Sequence, residues 1–248
     1  MRKRIDARDY NQLRPVSIRT GFNLYAESSV EISWGNTLVH VTASVEDRVP
    51  AFLKGTGKGW LTAEYNMLPR ATHSRNQREG RGNRSLGGRT QEIQRLIGRS
   101  LRAVTDLYLL PERSIIIDCD VLQADGGTRT ASITAAWLAL VLASNHLIEE
   151  GVIARTPVLE QLAAVSVGVL NGRPILDMSY QEDSAAQVDM NVIMTGAQDF
   201  VEIQGTGEES TFSLNQLKEM LALAQAGLAE IFDLQLQVLK ENGINWGK

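Results

Sequence analysis

From Ser114 to Gln123 hydrophobic character alternates, with Ile115, Ile117, Cys119 and Val121 on one side and Ile116, Asp118, Asp120 and Leu122 on the other. A period of two predicts a strand with one buried face. Just upstream the period lengthens. From Thr90 onward Ile93, Leu96, Ile97, Leu101 and Val104 recur at helical intervals, which predicts an amphipathic helix with Arg95, Arg99 and Arg102 on its outer side. After Ala124-Asp125-Gly126-Gly127 the chain is apolar on nearly all sides from about Thr130 to Glu150, and Gly151 stops it. Such a segment is expected to be a helix buried between layers.

Shorter alternations surround these elements. Ser29–Ser33 and Thr37–Ala43 read as a hairpin about Trp34-Gly35-Asn36, and Ala164–Leu170 and Pro174–Tyr180 as a second one about Asn171-Gly172. Val188–Thr195 and Phe200–Gln204 continue the strand pattern. Ser213-Leu214-Asn215-Gln216 then has the spacing of a capping box, opening a final helix that runs to about Asn242 before Gly243. Each half thus reads as antiparallel strands followed by a leucine-bearing helix. The expected class is α+β, in two units spanning residues 1–153 and 154–248, although hairpin-then-helix is too common a pattern to establish a duplication.

Composition sets bounds. A chain of 248 residues with 43% hydrophobic content can bury a sizeable core. No uninterrupted apolar run approaches the ~20 residues of a membrane span, and no apolar segment follows the basic start at Met1-Arg2-Lys3-Arg4, so neither a membrane anchor nor a secretory signal is expected. The single cysteine, Cys119, excludes an internal disulfide and fits a cytoplasmic location. His40, His73 and His146 lie far apart and give no zinc-ligand spacing.

Charge changes the picture. The net charge is -4, yet between Arg70 and Arg102 nine arginines (positions 70, 75, 78, 81, 84, 89, 95, 99 and 102) face two acids, Glu79 and Glu92, a local excess of +7. Guanidinium matches phosphate bidentately, so a nucleic acid is the simplest partner. Solvated helix faces or subunit salt bridges would produce the same count. Arg75, Arg78, Arg81 and Arg84 favour the phosphate reading, because Thr72 to Gly88 holds four glycines and no apolar period, as a mobile loop would.

Two glycine-arginine-threonine turns stand out. Gly126-Gly127-Thr128-Arg129-Thr130 lies between a strand and a helix start, where backbone N–H groups and the helix dipole favour an anion; Gly87-Gly88-Arg89-Thr90 repeats the arrangement. Taken singly, each could be an ordinary N-cap. Neither has the Gly-Lys-Ser/Thr sequence of a nucleotide-binding P-loop. Asp177, Glu182, Asp183 and Asp189 crowd into thirteen positions, a density typical of exposed turns. Asp189 nevertheless opens an apolar strand, where a carboxylate needs a cation, a metal or a proton partner. Asp183 and Asp189 are candidates for metal binding and general acid chemistry, and a structural salt bridge is the alternative.

These residues resemble the ribonuclease PH family of phosphorolytic 3′-to-5′ exoribonucleases. The resemblance runs through Gln12-Leu13-Arg14-Pro15-Val16, Gly59-Trp60-Leu61-Thr62-Ala63-Glu64-Tyr65, Met67-Leu68-Pro69-Arg70-Ala71-Thr72, Gly88-Arg89-Thr90-Gln91-Glu92-Ile93, Asp125-Gly126-Gly127-Thr128-Arg129-Thr130, Glu182-Asp183-Ser184-Ala185 and Val188-Asp189-Met190-Asn191, and covers essentially the whole chain. It implies a ribosomal-protein-like β-α unit followed by a smaller C-terminal α+β unit. Arg89, Gly127, Thr128 and Arg129 would bind inorganic phosphate as co-substrate, and Asp183 and Asp189 would hold Mg²⁺ or move the proton. Arg70, Arg75 and Arg78 would guide RNA, with transfer RNA precursors and other RNA 3′ ends as substrates. A homohexamer, a trimer of dimers, is implied as well.

The rival expectations are a non-catalytic RNA-binding ring subunit of an exosome-like assembly and a two-metal hydrolytic nuclease. Two departures from the family pattern are visible. Ala7 replaces the usual glycine of an Asp-Gly-Arg turn, which leaves that turn's shape open, and the stretch around Arg81 and Arg84 is unusual enough that no role is carried onto them.

Overall fold

The computed structural model describes residues 4–80, 85–207 and 210–246. Strands β1 (Val16–Thr20), β2 (Ser28–Trp34), β3 (Thr37–Glu46), β4 (Trp60–Met67) and β5 (Ser114–Gln123) make a five-stranded sheet in the order β1-β2-β3-β5-β4. Its pairs are antiparallel except β4–β5, which is parallel because helix α1 (Gly88–Ala103) crosses over between the two strands. A second sheet, in the order β7-β6-β8-β9, is antiparallel throughout and uses β6 (Leu162–Leu170), β7 (Arg173–Leu176), β8 (Val188–Thr195) and β9 (Phe200–Gly207).

Helix α2 (Thr128–Glu149) lies between the sheets, packed on β2, β3 and β5 on one side and on β6 on the other. This position explains its all-round hydrophobicity. It is long and apolar enough to cross a membrane by composition, but most of it is buried inside the protein. Helix α1 packs beside it on β4, and the long helix α4 (Leu214–Glu241) covers the outer face of β6, β7 and β8. One continuous hydrophobic cluster runs through both sheets and all three long helices.

Local signals account for many boundaries. β5 spans the alternating stretch from Ser114 to Gln123, with Ile115, Ile117, Cys119 and Val121 buried. The Ser213–Gln216 capping box opens α4, whose last turn ends at Asn242 before a left-handed Gly243. α2 starts two residues earlier than the hydrophobic pattern indicates, because Gly127 in the left-handed region serves as its N-cap.

The second hairpin needs correction. Its outgoing strand stops at Leu176 rather than continuing to Tyr180, since Asp177 takes a φ of 53° and the chain turns into a short helix, α3 (Tyr180–Asp183). The acidic cluster needs another. Asp177 and Glu182 are only 2% and 1% exposed, so this segment is no solvated turn.

Candidate active site

A cavity of about 750 Å³ opens where the starts of α1 and α2 meet the inner face of the second sheet. Gly126, Gly127, Thr128 and Arg129 line it from the turn into α2 and that helix's first residues, Gly88, Arg89 and Glu92 from α1, and Asp183 and Asp189 from the second half of the chain.

Glycine is required at the turn into α2. Gly126 and Gly127 have φ values of 78° and 68°, a region that side chains with a Cβ avoid. Space forbids a side chain as well: a Cβ on Gly126 would stand 2.5 Å from the carbonyl oxygen of Met178. The turn therefore presses directly on the segment that carries Asp183.

Thr128 is buried, and its Oγ1 lies 2.9 Å from the hydroxyl of Tyr65. Burial pushes the Tyr65 pKa up, against the opposing pull of the Thr128 hydrogen bond and of the Arg89 and Arg129 charges, so the phenol stays neutral. Arg129 Nη1 donates to Gln204 Oε1 at 2.7 Å, which directs its guanidinium across the cavity toward β9. Arg89 is exposed in the first turn of α1. The chain before that helix folds back on it, with Gly87 N–H donating to Glu79 Oε2 at 2.8 Å.

Sheet register collects the polar side chains opposite. Asp189 pairs with Gly168 on one side and Thr206 on the other, and Asn191 pairs with Ser166 and Gln204. Ser166, Asp189, Asn191, Gln204 and Thr206 all line the cavity. The same strands bury Val165, Val167, Met190 and Val192, so polar residues are concentrated where the face opens at the start of α2.

Asp183 ends α3, and that helix is anchored by buried charge. Arg4 grips Glu182 with two hydrogen bonds, at 2.8 and 2.7 Å, and also donates to the carbonyls of Leu176 and Asp177. Burial alone would raise the Glu182 pKa; the Arg4 hydrogen bonds, the Ser179 N–H and the charges of Arg4 and Arg8 outweigh it and hold the carboxyl below its ordinary value. Asp177 accepts from the Arg14 guanidinium, the Arg14 N–H, Arg8 and Trp34 Nε1. Arg14 also donates to the carbonyl oxygens of Asp125 and Gly126. One buried arginine thus ties the glycine turn to the acidic segment.

The structure brings Arg89, Gly127, Thr128, Arg129, Asp183 and Asp189 around one cavity. Arg70, Arg75 and Arg78 are exposed and do not line it, whereas their neighbours Thr72, His73 and Ser74 do. Arg81 and Arg84 lie outside the described residues. Arg99 pairs with Glu202 of β9, and Arg102 donates to the Leu61 carbonyl, so these two are more than surface charges.

Tyr65 and Gln204 escaped the sequence reading. Tyr65 carried a usable signal: it follows Leu61 and Ala63 on the buried side of β4, where a hydroxyl needs a partner. Gln204 carried none, because its role depends on register across sheets. Asp183 and Asp189 supply the hard carboxylate oxygens that suit Mg²⁺, which typically binds one or two carboxylates together with substrate phosphates.

Comparison with known proteins gives the class: residues 12–144 match the 3′ exoribonuclease family, domain 1, and residues 160–227 match its domain 2. The chain belongs to the 3′ exoribonuclease family. Within it, the resemblance is to ribonuclease PH. The ribonuclease PH of Bacillus pumilus is 57% identical over 96% of this chain and 98% of its own length. That of Caulobacter vibrioides is 56% identical over 91% of this chain and 94% of its own. Two solved structures share the fold at 20% identity: rice Rrp46, with a TM-score of 0.77 over 95% of this chain and all of the other, and an Archaeoglobus fulgidus exosome with RNA bound to the active site, with a TM-score of 0.75 over 93% and 91%.

Proposed function

We propose that this protein is a phosphorolytic 3′-to-5′ exoribonuclease that trims transfer RNA precursors and other RNA 3′ ends in the cytoplasm. The observation that carries the reading is one cavity with two arginine turns on one side and two carboxylates on the other. Arg89, Arg129, Thr128 and the N–H groups at Gly127 hold inorganic phosphate. Their positive charge offsets its repulsion from the scissile phosphate. A phosphate oxygen then attacks the last phosphodiester in line, the bond to the departing 3′-oxygen breaks, and a nucleoside diphosphate leaves. In reverse, the same steps add a nucleotide to an RNA 3′ end.

The departing 3′-oxygen takes a proton, and Asp183 and Asp189 are the groups placed to manage it. The same two carboxylates are suited to hold Mg²⁺, which would supply charge neutralisation at the reacting phosphates. Arg70, Arg75 and Arg78 serve as RNA contacts outside the cavity. Residues 1–153 and 154–248 act as the two units of the fold. Six copies form a ring, a trimer of dimers, which collects several arginine segments around one entrance.

Incubating the protein with a 3′-extended transfer RNA and Mg²⁺, with and without inorganic phosphate, tests the reading. Nucleoside diphosphates released only with phosphate support it. Nucleoside monophosphates released without phosphate would show hydrolysis instead. RNA binding with no release would mark a non-catalytic ring subunit, a role in which the phosphate arginines and the aspartates would have no function.

A further inference from the structure

At the rim of the cavity two aromatic side chains stand unused by the chemistry above. His73 comes from the segment after β4, and Tyr180 opens α3. Both line the cavity, and Tyr180 keeps 51% of its surface exposed. Their ring centroids are 6.3 Å apart, with the planes at 52°. Aromatic pairs in contact have centroids roughly 4.5–7 Å apart, so these two rings pack against each other and form one aromatic platform at the cavity mouth.

The frames behind both rings are fixed. Tyr180 N–H donates to Asp125 Oδ1 at 3.2 Å, and the Ser179–Glu182 pairing holds the turn. On the other side Thr72 Oγ1 donates to the Ser74 carbonyl at 2.8 Å and accepts from Asn76 Nδ2 at 2.9 Å, and Ala124 N–H donates to the Ala71 carbonyl. Tyr180 precedes Asp183 by three helical positions, a spacing that places side chains side by side.

We propose that the base of the 3′-terminal RNA nucleotide stacks on the His73–Tyr180 pair, an inference that rests on the exoribonuclease reading above. The stack holds that nucleotide so that the phosphodiester preceding it lies against the phosphate and carboxylate groups. Every base has a π-face, so stacking of this kind tolerates any sequence, as successive removal of nucleotides demands.

The test compares two oligoribonucleotides, one intact and one abasic at its 3′-terminal residue, with Mg²⁺ and saturating phosphate. For the unmodified protein the abasic end raises KM for RNA roughly tenfold, the range expected for loss of one stacked base. In Tyr180→Ala and His73→Ala the intact oligonucleotide already has the raised KM, and removing the base adds less than twofold. Tyr180→Phe keeps the ring and therefore keeps the discrimination. The effect falls on KM for RNA and not on KM for phosphate. Equal KM values for the two oligonucleotides with the unmodified protein would overturn the stacking, as would full discrimination persisting in both alanine variants. Failure of the exoribonuclease reading is separate: no phosphate-dependent release from the intact oligonucleotide. In that event the equilibrium affinities of the same two oligonucleotides decide the stacking by the same comparison.

Discussion

Arg14 Nη2 lies 2.7 Å from Asp177 Oδ1, and both residues are at most 5% exposed. They lie 163 positions apart in the chain, and Nη1 and Nη2 of Arg14 also reach the carbonyl oxygens of Asp125 and Gly126. A buried ion pair is weak grounds for stability in itself, but removing one partner strands the other. Arg14→Ala is therefore expected to lower unfolding stability by about 3–5 kcal/mol. Urea denaturation measures it, and a loss under about 1 kcal/mol would show that the pair is not holding the two halves together.

Arg89→Ala removes a cation from the cavity wall, where phosphate is proposed to bind, without touching the core. Loss of one preorganised donor typically lowers turnover by about 10²–10³-fold, and that range is expected here for phosphate-dependent release, with RNA affinity largely retained. Steady-state kinetics at several phosphate concentrations, beside an RNA-binding titration, separate the two effects. Turnover close to that of the unmodified protein would remove Arg89 from the phosphate site.

Tyr65→Phe deletes the hydroxyl that contacts Thr128 and leaves the buried ring in place. The expected change is a stability loss of about 1 kcal/mol and a several-fold rise in KM for phosphate, because Thr128 loses the partner that orients it. An unchanged KM would mean that Thr128 is oriented by its helix alone.

Ala7 answers the question its sequence position left open: it keeps a φ of 65°, the conformation glycine would adopt freely, so the turn has the left-handed conformation at the expense of strain. Ala7→Gly is expected to raise stability by about 0.5–1 kcal/mol, since left-handed backbone costs an alanine about 1–2 kcal/mol and part of the relief is offset by glycine's greater freedom when unfolded. Thermal unfolding reads the change directly, and a lower midpoint would contradict it.

Asp118 is half-buried in β5 and its pKa is raised above 3.8, by burial first and then by the neighbouring Glu64 and Asp120 charges. Between 3.8 and the raised value the folded protein binds more protons than the unfolded chain, so this group's contribution to stability falls as pH rises through that window. Asp118→Asn should raise the melting temperature at pH 7 by about 1–3 °C, with the advantage vanishing below the unfolded pKa. Melting curves at several pH values test the sign.

The elements readable from sequence are those whose causes are local. Alternation gave β5, the Ser213–Gln216 pair gave the start of α4, and Asn171-Gly172 gave the turn between β6 and β7. In the same way, helix-start chemistry singles out Arg89, Thr128 and Arg129, which the structure gathers around one cavity. The end of β7 is not legible locally, because Leu176 through Tyr180 keeps a strand-like composition. What bends it is Asp177, fixed in a left-handed turn by arginines far away in the chain.

The sequence by itself determined the periods, the caps, the glycine turns and the residue types able to meet phosphate and metal, since each depends on neighbours within a few positions. Tertiary structure decided which of them meet. The parallel pairing of β4 with β5, the burial of Glu182 against Arg4 across 178 residues, the Tyr65–Thr128 contact and the approach of His73 to Tyr180 all arise from long-range packing. Such contacts are selected by how whole layers bury their apolar faces together, and no local pattern encodes that choice.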